Sequence, residues 1–445
     1  MSDRFNEQNA PSRGDSAYSR YSRSAGVTEY RRRRRARRIL KGVAAIVLIA
    51  VIGGAAVLFG QHILEMPLFN GRLDLPSSNL HESDEGQVLQ NAQLPEPVDI
   101  KLIAAGGVIV DGPALQSGMT ESGDYDFSNL FAHITSELSG YSMRIVDQET
   151  NLPGDQYGIG SYGSLNAPQQ LSKAEIAAGF NVILRANDHT LDNGREGLHD
   201  ELAMWASEHP GTPLLGVAEP DPAANPGMSD YVNNIYMFRK DNFNVAVINH
   251  SLGINDGDRD VVSALTDEKI AEDVERARDA GAQLIVACPH WGAENSTDVN
   301  DEQTHFAQVY ANNGVDVILG SHPRVLQRAE VLTGENGHKT ACFYSLGCLV
   351  SGLSDGNNLI GGLVELTLSR DSIGACKVTS ATLKPVVTHR ADGADYGAYL
   401  LKDYTEELAQ SGWDANLTPE VVSQTCADIF GSDYQTDTNA LTLQL

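Results

Sequence analysis

The sequence predicts an α/β fold built on mixed sheets, and three observations support this prediction. Short apolar runs typical of buried strands alternate with helical segments from Val98 onward. Three of these runs lead into a histidine, at His189, His290 and His322. After Thr340, strand-like segments follow one another without a helix between them. Alternating strands and helices form a sheet covered by helices, and the final consecutive strands favour two packed mixed sheets over one wholly parallel sheet.

The composition of residues 1–38 predicts a disordered, basic tail on the cytoplasmic side of a membrane. This segment is rich in Ser, Arg, Asn and Gly and has too few apolar residues to form a packed core. The first 41 residues carry 12 Lys or Arg and 4 Asp or Glu, which leaves 20 against 55 in the rest of the chain. The arginine run at 31–35 would contact anionic lipid headgroups, and this interpretation requires no nucleic acid partner.

Residues 39–62 are predicted to form one transmembrane helix. The 19 residues at 42–60 contain no charged side chain. As a helix they would extend about 28 Å, close to the roughly 30 Å of a bilayer's hydrocarbon core. The basic residues before this segment predict a cytoplasmic N-terminus and an extracellular main domain. A cleaved signal peptide is the alternative, but its basic region would be unusually long and no clear cleavage site follows. We therefore expect a single-pass cell membrane protein, with an extracytoplasmic linker at 63–97.

The remaining residues predict a mainly β-α-β order. The predicted strands are 98–104, 142–146, 180–184, 213–217, 243–250, 284–290, the segment from 315 that leads to His322, 359–368 and 374–383. The predicted helices are 127–138, 171–178, 194–205, 267–280 and 304–312. From about 391 to 445 the polar pattern predicts a C-terminal helical extension that closes the domain.

The chain contains five cysteines without C-x-x-C spacing. An odd, sparse set of this kind argues against a disulfide scaffold and against a zinc site made of thiolates. Any metal site is therefore expected to use carboxylates and histidines.

Polar residues cluster directly after the predicted strand 180–184, at Asn187, Asp188 and His189. In open α/β sheets ligands bind at such strand exits, because the strand fixes the backbone and the loop lets side chains converge. These residue types are also common in turns and helix caps. The recurrence of His290 and His322 at later strand ends favours a shared metal or phosphate site.

Several motifs occur in an order that resembles a known family. The matching segments are 147–150 for N-L-E-T, 186–194 for A-N-N-H-T-x-D-x-G, 290–294 for H-W-G-x-E, 320–327 for G-x-H-P-H-V-x-Q and 343–347 for S-L-G-N-F. On these motifs residues 98–390 resemble the bacterial capsule synthesis proteins of the CapA type, which are associated with poly-γ-glutamate biosynthesis. The family's domain is similar to the calcineurin-like metallophosphoesterases. The resemblance implies an αββα sandwich with a metal centre on the strand-end loops.

The resemblance also implies roles for particular residues. The implied metal ligands are Glu149, Asp188, His189, His290 and His322, the implied catalytic residues are His189, His290 and Arg324, and the implied substrate-binding residues are Asn187, Trp291 and Arg324. Carboxylates and imidazoles suit Mn, Fe or Zn, and two such ions can clamp a phosphoryl group and activate water. Trp291 has an alternative role as a packing wall.

The chain departs from the family pattern at five positions. Gly107 stands where the first motif, G-D, has aspartate, and Arg324 stands where H-P-H has its second histidine. Asp147 and Asp188 replace asparagines, and Cys348 follows Ser-Leu-Gly in place of asparagine. Two alternatives stay open: a remodelled centre that still holds one or two divalent ions, or a site that has lost its metal.

Three functions follow from these observations. The first is a membrane-anchored protein of capsule or cell-envelope polymer biosynthesis that works with other capsule-synthesis membrane proteins. Its reaction would be hydrolysis or transfer at a phosphate ester or at the polymer's acyl end. The second is a non-catalytic module that binds or tethers the polymer, and the third is an extracellular phosphatase unrelated to capsule. Because the body of the chain is acidic, an anionic polymer requires a local basic or metal-bearing cleft. Arg185, Arg324 and Arg328 are the cationic residues nearest the motifs.

Overall fold

The computed structural model describes residues 96–160, 165–217, 234–255, 259–353, 356–391 and 396–445. The predicted tail at 1–38, the predicted membrane span at 39–62 and nearly all of the predicted linker at 63–97 lie outside these residues. In the part of the chain that is described, no helix combines the length and the apolar character that a bilayer crossing requires.

The first part of the domain alternates strands with helices, as predicted. Its strands are β1 (Val98–Ile109), β2 (Met143–Gln148), β3 (Val182–Leu184) and β4 (Leu214–Leu215). Its helices are α1 (Gly112–Ser117), α2 (Thr135–Leu138), α3 (Gln170–Ala178) and α4 (Gly194–Glu208), with short 3-10 turns at Ser128–Phe131 and Asp155–Tyr157.

The second part continues this alternation and then turns to consecutive strands. Its elements are β5 (Ile235–Lys240), β6 (Phe243–Ser251), a 3-10 turn at Arg259–Val261, α5 (Asp267–Asp279), β7 (Leu284–His290), α6 (Asp301–Asn312), β8 (Val317–Leu319), β9 (Ala329–Thr333), β10 (Lys339–Phe343) and β11 (Cys348–Ser351). The C-terminal elements are β12 (Ile360–Arg370), β13 (Cys376–Arg390), β14 (Tyr396–Leu400), α7 (Glu406–Ser411), α8 (Pro419–Phe430), β15 (Tyr434–Gln435) and β16 (Ala440–Thr442), with 3-10 turns at Gly356–Leu359, Leu401–Asp403 and Gly431–Asp433.

The described strands form two mixed sheets. The larger follows the order β15-β16-β13-β12-β1-β2-β3-β4, with β11 beside β1 and β14 beside β13. The smaller follows the order β5-β6-β7-β8-β10-β9. Strands β1 to β4 are parallel, as are β6, β7, β8 and β10, whereas β12 to β16, β5 and β9 pair antiparallel. The prediction of two mixed sheets is therefore confirmed.

The sheets pack face to face because alternate strand residues point to opposite sides. Leu102 of β1 and Val247 of β6 lie in one core between the sheets. Ile103 points the other way, into a second core that α3 and α4 complete with Trp205. On the outer face of the smaller sheet, α5 and α6 form a third core that includes Tyr310. This layering is the predicted αββα sandwich.

The ends of two helices fix the path of the chain next to strands that carry the candidate site. Helix α3 ends at Gly179, whose φ of 114° only glycine adopts readily, and the chain then turns into β3. Helix α6 begins with a capping box, in which Asn300 and Gln303 satisfy each other's backbone N–H. Both ends fix a chain reversal next to a strand whose exit carries polar residues.

Two predicted segments differ from the structure. The single helix predicted at 127–138 is instead a 3-10 turn followed by the short α2, both of which keep the same apolar side buried. Periodicity alone does not separate these arrangements, since both bring every third or fourth residue to one face. The extension at 391–445, predicted to be helical, contains α7 and α8 but also strands, and β14 and β16 both pair with β13. These strands complete the larger sheet.

Candidate metal centre

Residues from four strand ends converge where the two sheets meet. Asp147 lies at the end of β2, and Glu149 follows it. Asp188 lies in the loop after β3, His290 ends β7, and His322 follows β8. Because β2 and β3 belong to one sheet and β7 and β8 to the other, the packing of the sheets creates the site.

His290 is at the centre of this group. Its Nδ1 lies 3.0 Å from Asp147 Oδ2 and 3.0 Å from Ser321 Oγ. Its Nε2 lies 2.9 Å from Asp188 Oδ1 and 3.1 Å from His322 Nδ1. Asp147 and Ser321 thus lie on the Nδ1 side of the His290 ring, and Asp188 and His322 lie on its Nε2 side. A carboxylate behind a histidine in this way is the usual support of a metal-binding imidazole.

A second group lies beside the first and consists of Glu149, Asp188 and His189. His189 Nε2 lies 3.5 Å from Asp188 Oδ2, and its Nδ1 lies 2.7 Å from Asp192 Oδ2. Asn255 contacts the same two residues, with its Nδ2 3.1 Å from Asp188 Oδ2 and 3.3 Å from His189 Nδ1. The Asp188 side chain therefore joins the two groups.

Gly107 gives the Glu149 carboxylate its place. A Cβ atom on residue 107 would lie 2.2 Å from Glu149 Oε1, closer than any real contact. The absence of a side chain at 107, where the family motif has aspartate, therefore allows Glu149 to occupy this space. The register between β1 and β2 shifts just before this point, and Gly107 pairs with Asp147.

The loop after β8 adopts an unusual backbone. His322 and Arg324 have φ angles of 93° and 65°, in the left-handed region that residues other than glycine rarely adopt. Backbone of this kind is retained where the surrounding structure holds a side chain in a required position, and such residues cluster at functional sites. Here it directs both side chains into the same group.

Burial and mutual charge shift the titration of this cluster. Burial opposes protonation of His290, but Asp147, Asp188 and Glu149 outweigh it and raise the pKa of His290 to about 10. Burial would raise the pKa of Asp188, yet hydrogen bonds with His290 and His322 lower it far below its usual range. Burial raises the pKa of Glu149 to about 7, with His290 acting in the opposite direction. The site thus concentrates carboxylates that require positive charge nearby.

The residues present fit a divalent cation. Three sets of ligand atoms each lie within 4.8 Å of one another: Asp188, His290 and His322; Asp147, Glu149 and His290; and Glu149, Asp188 and His189. Asp147 Oδ1 and Glu149 Oε2 are buried and have no hydrogen-bond partner among the described residues. A buried carboxylate oxygen without a partner is costly, and a cation would satisfy it.

Comparison with known proteins identifies the family of this chain. The model of the family described as bacterial capsule synthesis protein PGA_cap matches residues 101–353, more than half of the chain. The chain belongs to the PGA_cap family. It is 28% identical over 234 residues to the PGA biosynthesis protein CapA of Bacillus subtilis (strain 168) and 26% identical over 198 residues to the capsule biosynthesis protein CapA of Bacillus anthracis. These matches cover 51% and 42% of this chain, and 56% and 44% of the relatives, so the chain spans about half the length of the curated relatives it matches.

Solved structures give more distant matches. The calcineurin-like phosphoesterase YfkN of Bacillus subtilis has a TM-score of 0.39 and 13% identity, over 65% of this chain and 90% of that one. The sulfate thiohydrolase SoxB of Thermus thermophilus has a TM-score of 0.35 and 14% identity, over 69% and 47%. Scores this low do not transfer a function, so the PGA_cap-family site is interpreted from this chain's own residues.

The structure brings together most of the site residues that the PGA_cap resemblance implies. Glu149, Asp188, His189, His290 and His322 all lie in the two adjoining groups. Arg324 joins them, with its Nη2 3.2 Å from His189 Nε2. The expectation that distant loops deliver these side chains to one place agrees with these distances.

Two predicted substrate-binding residues, Trp291 and Asn187, have buried side chains that hydrogen-bond within the protein. The Trp291 side chain is 1% exposed in the core of the smaller sheet, and its Nε1 donates to the Tyr344 carbonyl. It is the packing wall, not a substrate platform. Asn187 is fully buried, donates to the Gln148 carbonyl and accepts from the His189 backbone N–H. Both amide ends of Asn187 shape the loop, so this residue positions its neighbours and does not face a substrate.

Of the three arginines near the motifs, one enters the site. Arg324 is 2% exposed and pairs with Glu294, with Nη2 3.1 Å from Oε1. Arg185 is fully buried behind the strand ends and pairs with Glu201 at 2.9 Å. Arg328 pairs with Glu330 near the surface. Anion binding at the centre therefore depends on Arg324.

The sequence did not identify four residues that touch the site. Asp192 contacts His189 Nδ1, and its position three residues after that histidine in the segment 186–194 was a usable signal. Glu294 closes the H-W-G-x-E segment and pairs with Arg324. Ser321 and Asn255 contact His290 and Asp188 but belong to loops whose sequence gives no sign of it.

Proposed function

We propose that this chain is a metal-dependent hydrolase or transferase of capsule or cell-envelope polymer biosynthesis that acts at a phosphate ester or at the polymer's acyl end. One observation carries the proposal. Asp188 Oδ1, His290 Nε2 and His322 Nδ1 lie 2.9 to 3.5 Å from one another, while Asp147 Oδ2 lies 3.0 Å from the opposite ring nitrogen of His290, Nδ1. Two carboxylates and two imidazoles in this relation form a ligand set for Mn, Fe or Zn.

Such an ion, when bound, activates a water molecule and polarises the oxygen of the group under attack. Asp188, His290 and His322 would hold it. Asp147 and Ser321 keep the His290 ring in position from behind. Their contacts fix which imidazole nitrogen faces the centre before a substrate arrives.

The neighbouring residues bind the substrate and handle protons. Arg324 provides guanidinium N–H donors that suit the paired oxygens of a phosphate or carboxylate. His189 is fixed through its Nδ1 by Asp192, so Nε2 is the nitrogen that exchanges a proton with a leaving oxygen. Glu294, whose side chain is one third exposed, marks the side from which solvent and substrate reach Arg324.

The location and partner of the protein are part of the proposal. The apolar segment at 39–62 would anchor the chain in the cell membrane with the acidic domain outside. A domain with 20 basic and 55 acidic residues after position 41 repels an anionic polymer over most of its surface. The polymer would therefore engage the protein beside Arg324, on the side where Glu294 is exposed, with no nucleic acid involved.

Metal content and chelator-sensitive hydrolysis test the enzyme assignment. The purified chain is expected to retain Mn, Fe or Zn and to hydrolyse bis-p-nitrophenyl phosphate, and chelation should abolish this turnover. His290→Ala should lose both metal and activity. His305→Ala is the matched control, because His305 lies exposed on α6 and pairs with Asp267. Metal-free wild-type protein whose turnover is unaffected by His290→Ala would contradict the proposal.

One observation favours a second function, that of a non-catalytic polymer-binding module. The Arg324–Glu294 ion pair lies beside the ligand set, so the guanidinium that would bind a substrate's oxyanion already has a carboxylate partner. If the chain binds anionic polymer but hydrolyses no ester with any of the three metals, the binding module is correct and the enzyme assignment is wrong.

A further inference from the structure

Two of the three ligand sets in the described residues share Asp188, and these two sets differ. In the first, the donor atoms of Asp188, His290 and His322 are 2.9 to 3.5 Å apart. A metal about 2.1 Å from each donor would separate them by roughly 3.0 Å in octahedral and roughly 3.4 Å in tetrahedral coordination. The first place therefore already has the spacing of a coordination shell.

The second place, formed by Glu149, Asp188 and His189, lies beside a guanidinium that would compete with a metal ion. Arg324 Nη2 lies 3.2 Å from His189 Nε2, while Asp192 lies 2.7 Å from Nδ1. Both nitrogens of the His189 ring thus have polar neighbours, and Nε2 faces the Arg324 guanidinium. A metal at this place would have to displace a positive group from its ligand.

Arg324 is held firmly in this position. Its side chain is 2% exposed, and Glu294 binds it through both carboxylate oxygens at 3.1 and 3.3 Å. Its carbonyl accepts from Asn358 Nδ2 at 3.4 Å and contacts Cys348 Sγ at 3.6 Å, which fixes the left-handed backbone. Because an arginine is always charged, this place carries a permanent positive charge.

We propose that the centre holds one divalent cation, at Asp188, His290 and His322, and that the Arg324 guanidinium takes the place of a second ion. A bound oxyanion then bridges the cation and the arginine, with one oxygen toward each. This inference rests on the proposed function for the presence of a cation. It goes further in assigning the number of ions and the residue that binds the anion.

The number of bound ions tests this assignment. The full chain is stripped of metal, loaded with Mn²⁺, desalted and analysed for manganese per chain. Wild type should hold one ion, and Arg324→His, which restores the histidine of the family's H-P-H motif, should hold a second. Two ions in wild type, or one ion in Arg324→His under saturating Mn²⁺, would overturn the proposal.

Anion binding provides a second readout that does not depend on turnover. Inorganic phosphate and glutarate are titrated into the manganese-loaded chain by calorimetry, and the tighter ligand identifies the class of oxyanion. Arg324→Gln should weaken the tighter ligand at least tenfold and leave one manganese bound. Arg328→Gln is the matched control and should change neither value, because Arg328 pairs with Glu330 away from the centre. Equal oxyanion affinity in the two variants would contradict the role of Arg324.

The outcomes separate this inference from the proposed function. Two manganese ions with chelator-sensitive hydrolysis would remove the single-ion assignment and leave the enzyme assignment in place. A wild-type chain that binds no manganese, iron or zinc would remove both.

Discussion

Alanine at Gly107 and alanine at Gly106 should damage the protein in different ways, although the two glycines are adjacent in β1. A Cβ at Gly107 would lie 2.2 Å from Glu149 Oε1, the end of a side chain. A Cβ at Gly106 would lie 2.0 Å from the Gly347 carbonyl oxygen, which is backbone. Neither glycine has a positive φ, so each substitution adds volume without backbone strain. Gly107→Ala should move the Glu149 carboxylate, whereas Gly106→Ala should push β1 away from the backbone at Gly347.

The expected magnitudes follow from what must move. Overpacking against backbone in a close-packed core costs about 1–3 kcal/mol, so Gly106→Ala should lower the free energy of unfolding by that amount. In Gly107→Ala the flexible Glu149 side chain can turn away, and the stability loss should stay below about 1 kcal/mol. Glu149 stands next to the ligand atoms of Asp188 and His290. Loss of such a neighbour typically weakens metal binding about 10- to 100-fold, or roughly 1.4–2.7 kcal/mol.

Urea denaturation of the metal-free chain and Mn²⁺ titration by calorimetry measure the two quantities separately. Gly107→Ala should change mainly the Mn²⁺ affinity, and Gly106→Ala mainly the unfolding free energy. Wild-type Mn²⁺ affinity in Gly107→Ala would show that the space at residue 107 does not place the Glu149 carboxylate. Wild-type stability in Gly106→Ala would show that the approach of β1 to Gly347 is looser than the structure indicates.

Burial raises the pKa of Glu175 to about 8, so the stability that its protonation provides is complete below the unfolded value of 4.5 and is lost as pH rises through 8. Glu175→Gln should therefore gain on the order of 5 kcal/mol over wild type at pH 9 and nothing at pH 4 in urea denaturation, and equal gains at both pH values would contradict this. Glu201→Ala leaves Arg185 buried without its ion-pair partner and should lower the free energy of unfolding by about 3–5 kcal/mol. The double variant Arg185→Met with Glu201→Leu should lose much less stability, and equal losses in the two variants would disprove the pairing. Trp291→Phe removes a hydrogen bond in the core and should lower the free energy of unfolding by about 1–3 kcal/mol without changing KM. An altered KM at unchanged stability would show that Trp291 contacts the substrate.

The strand-end histidines were predictable because their position follows from local pattern. An apolar run of strand length fixes its own direction, and a polar residue at its exit must lie at the sheet edge. His290 and His322 therefore reached the site as expected from the sequence. The β-α-β order and the two mixed sheets were predictable for the same reason, since each strand and helix carries its own periodicity.

Other features depend on contacts between distant segments, which local pattern does not contain. The strand character of β14 and β16 comes from pairing with β13, although the local sequence is polar. The role of Trp291 depends on Tyr344, whose carbonyl accepts its N–H in the core. Asn255 contacts Asp188, which lies 67 residues earlier in the sequence, and no motif indicates this contact. The sequence therefore indicated most of the residues that converge but not all of their contacts.

The departures from the family pattern compensate one another in charge. Glycine at 107 removes one negative charge and arginine at 324 adds one positive charge, whereas aspartates at 147 and 188 add two negative charges. The formal charge of these four positions is therefore unchanged, but its distribution is not. Both new carboxylates contact His290, at 3.0 and 2.9 Å, and the new guanidinium lies on the side of His189.

This redistribution concentrates negative charge at the His290 end of the site and positive charge at the Arg324 end. The end at His290 attracts a cation, because burial strengthens the interaction between charges that water would screen at the surface. The end at Arg324 attracts an anion for the same reason. In the single-ion centre proposed above, an oxyanion would lie between the cation at His290 and the Arg324 guanidinium. The four departures that change charge thus favour a rearranged centre over the loss of one.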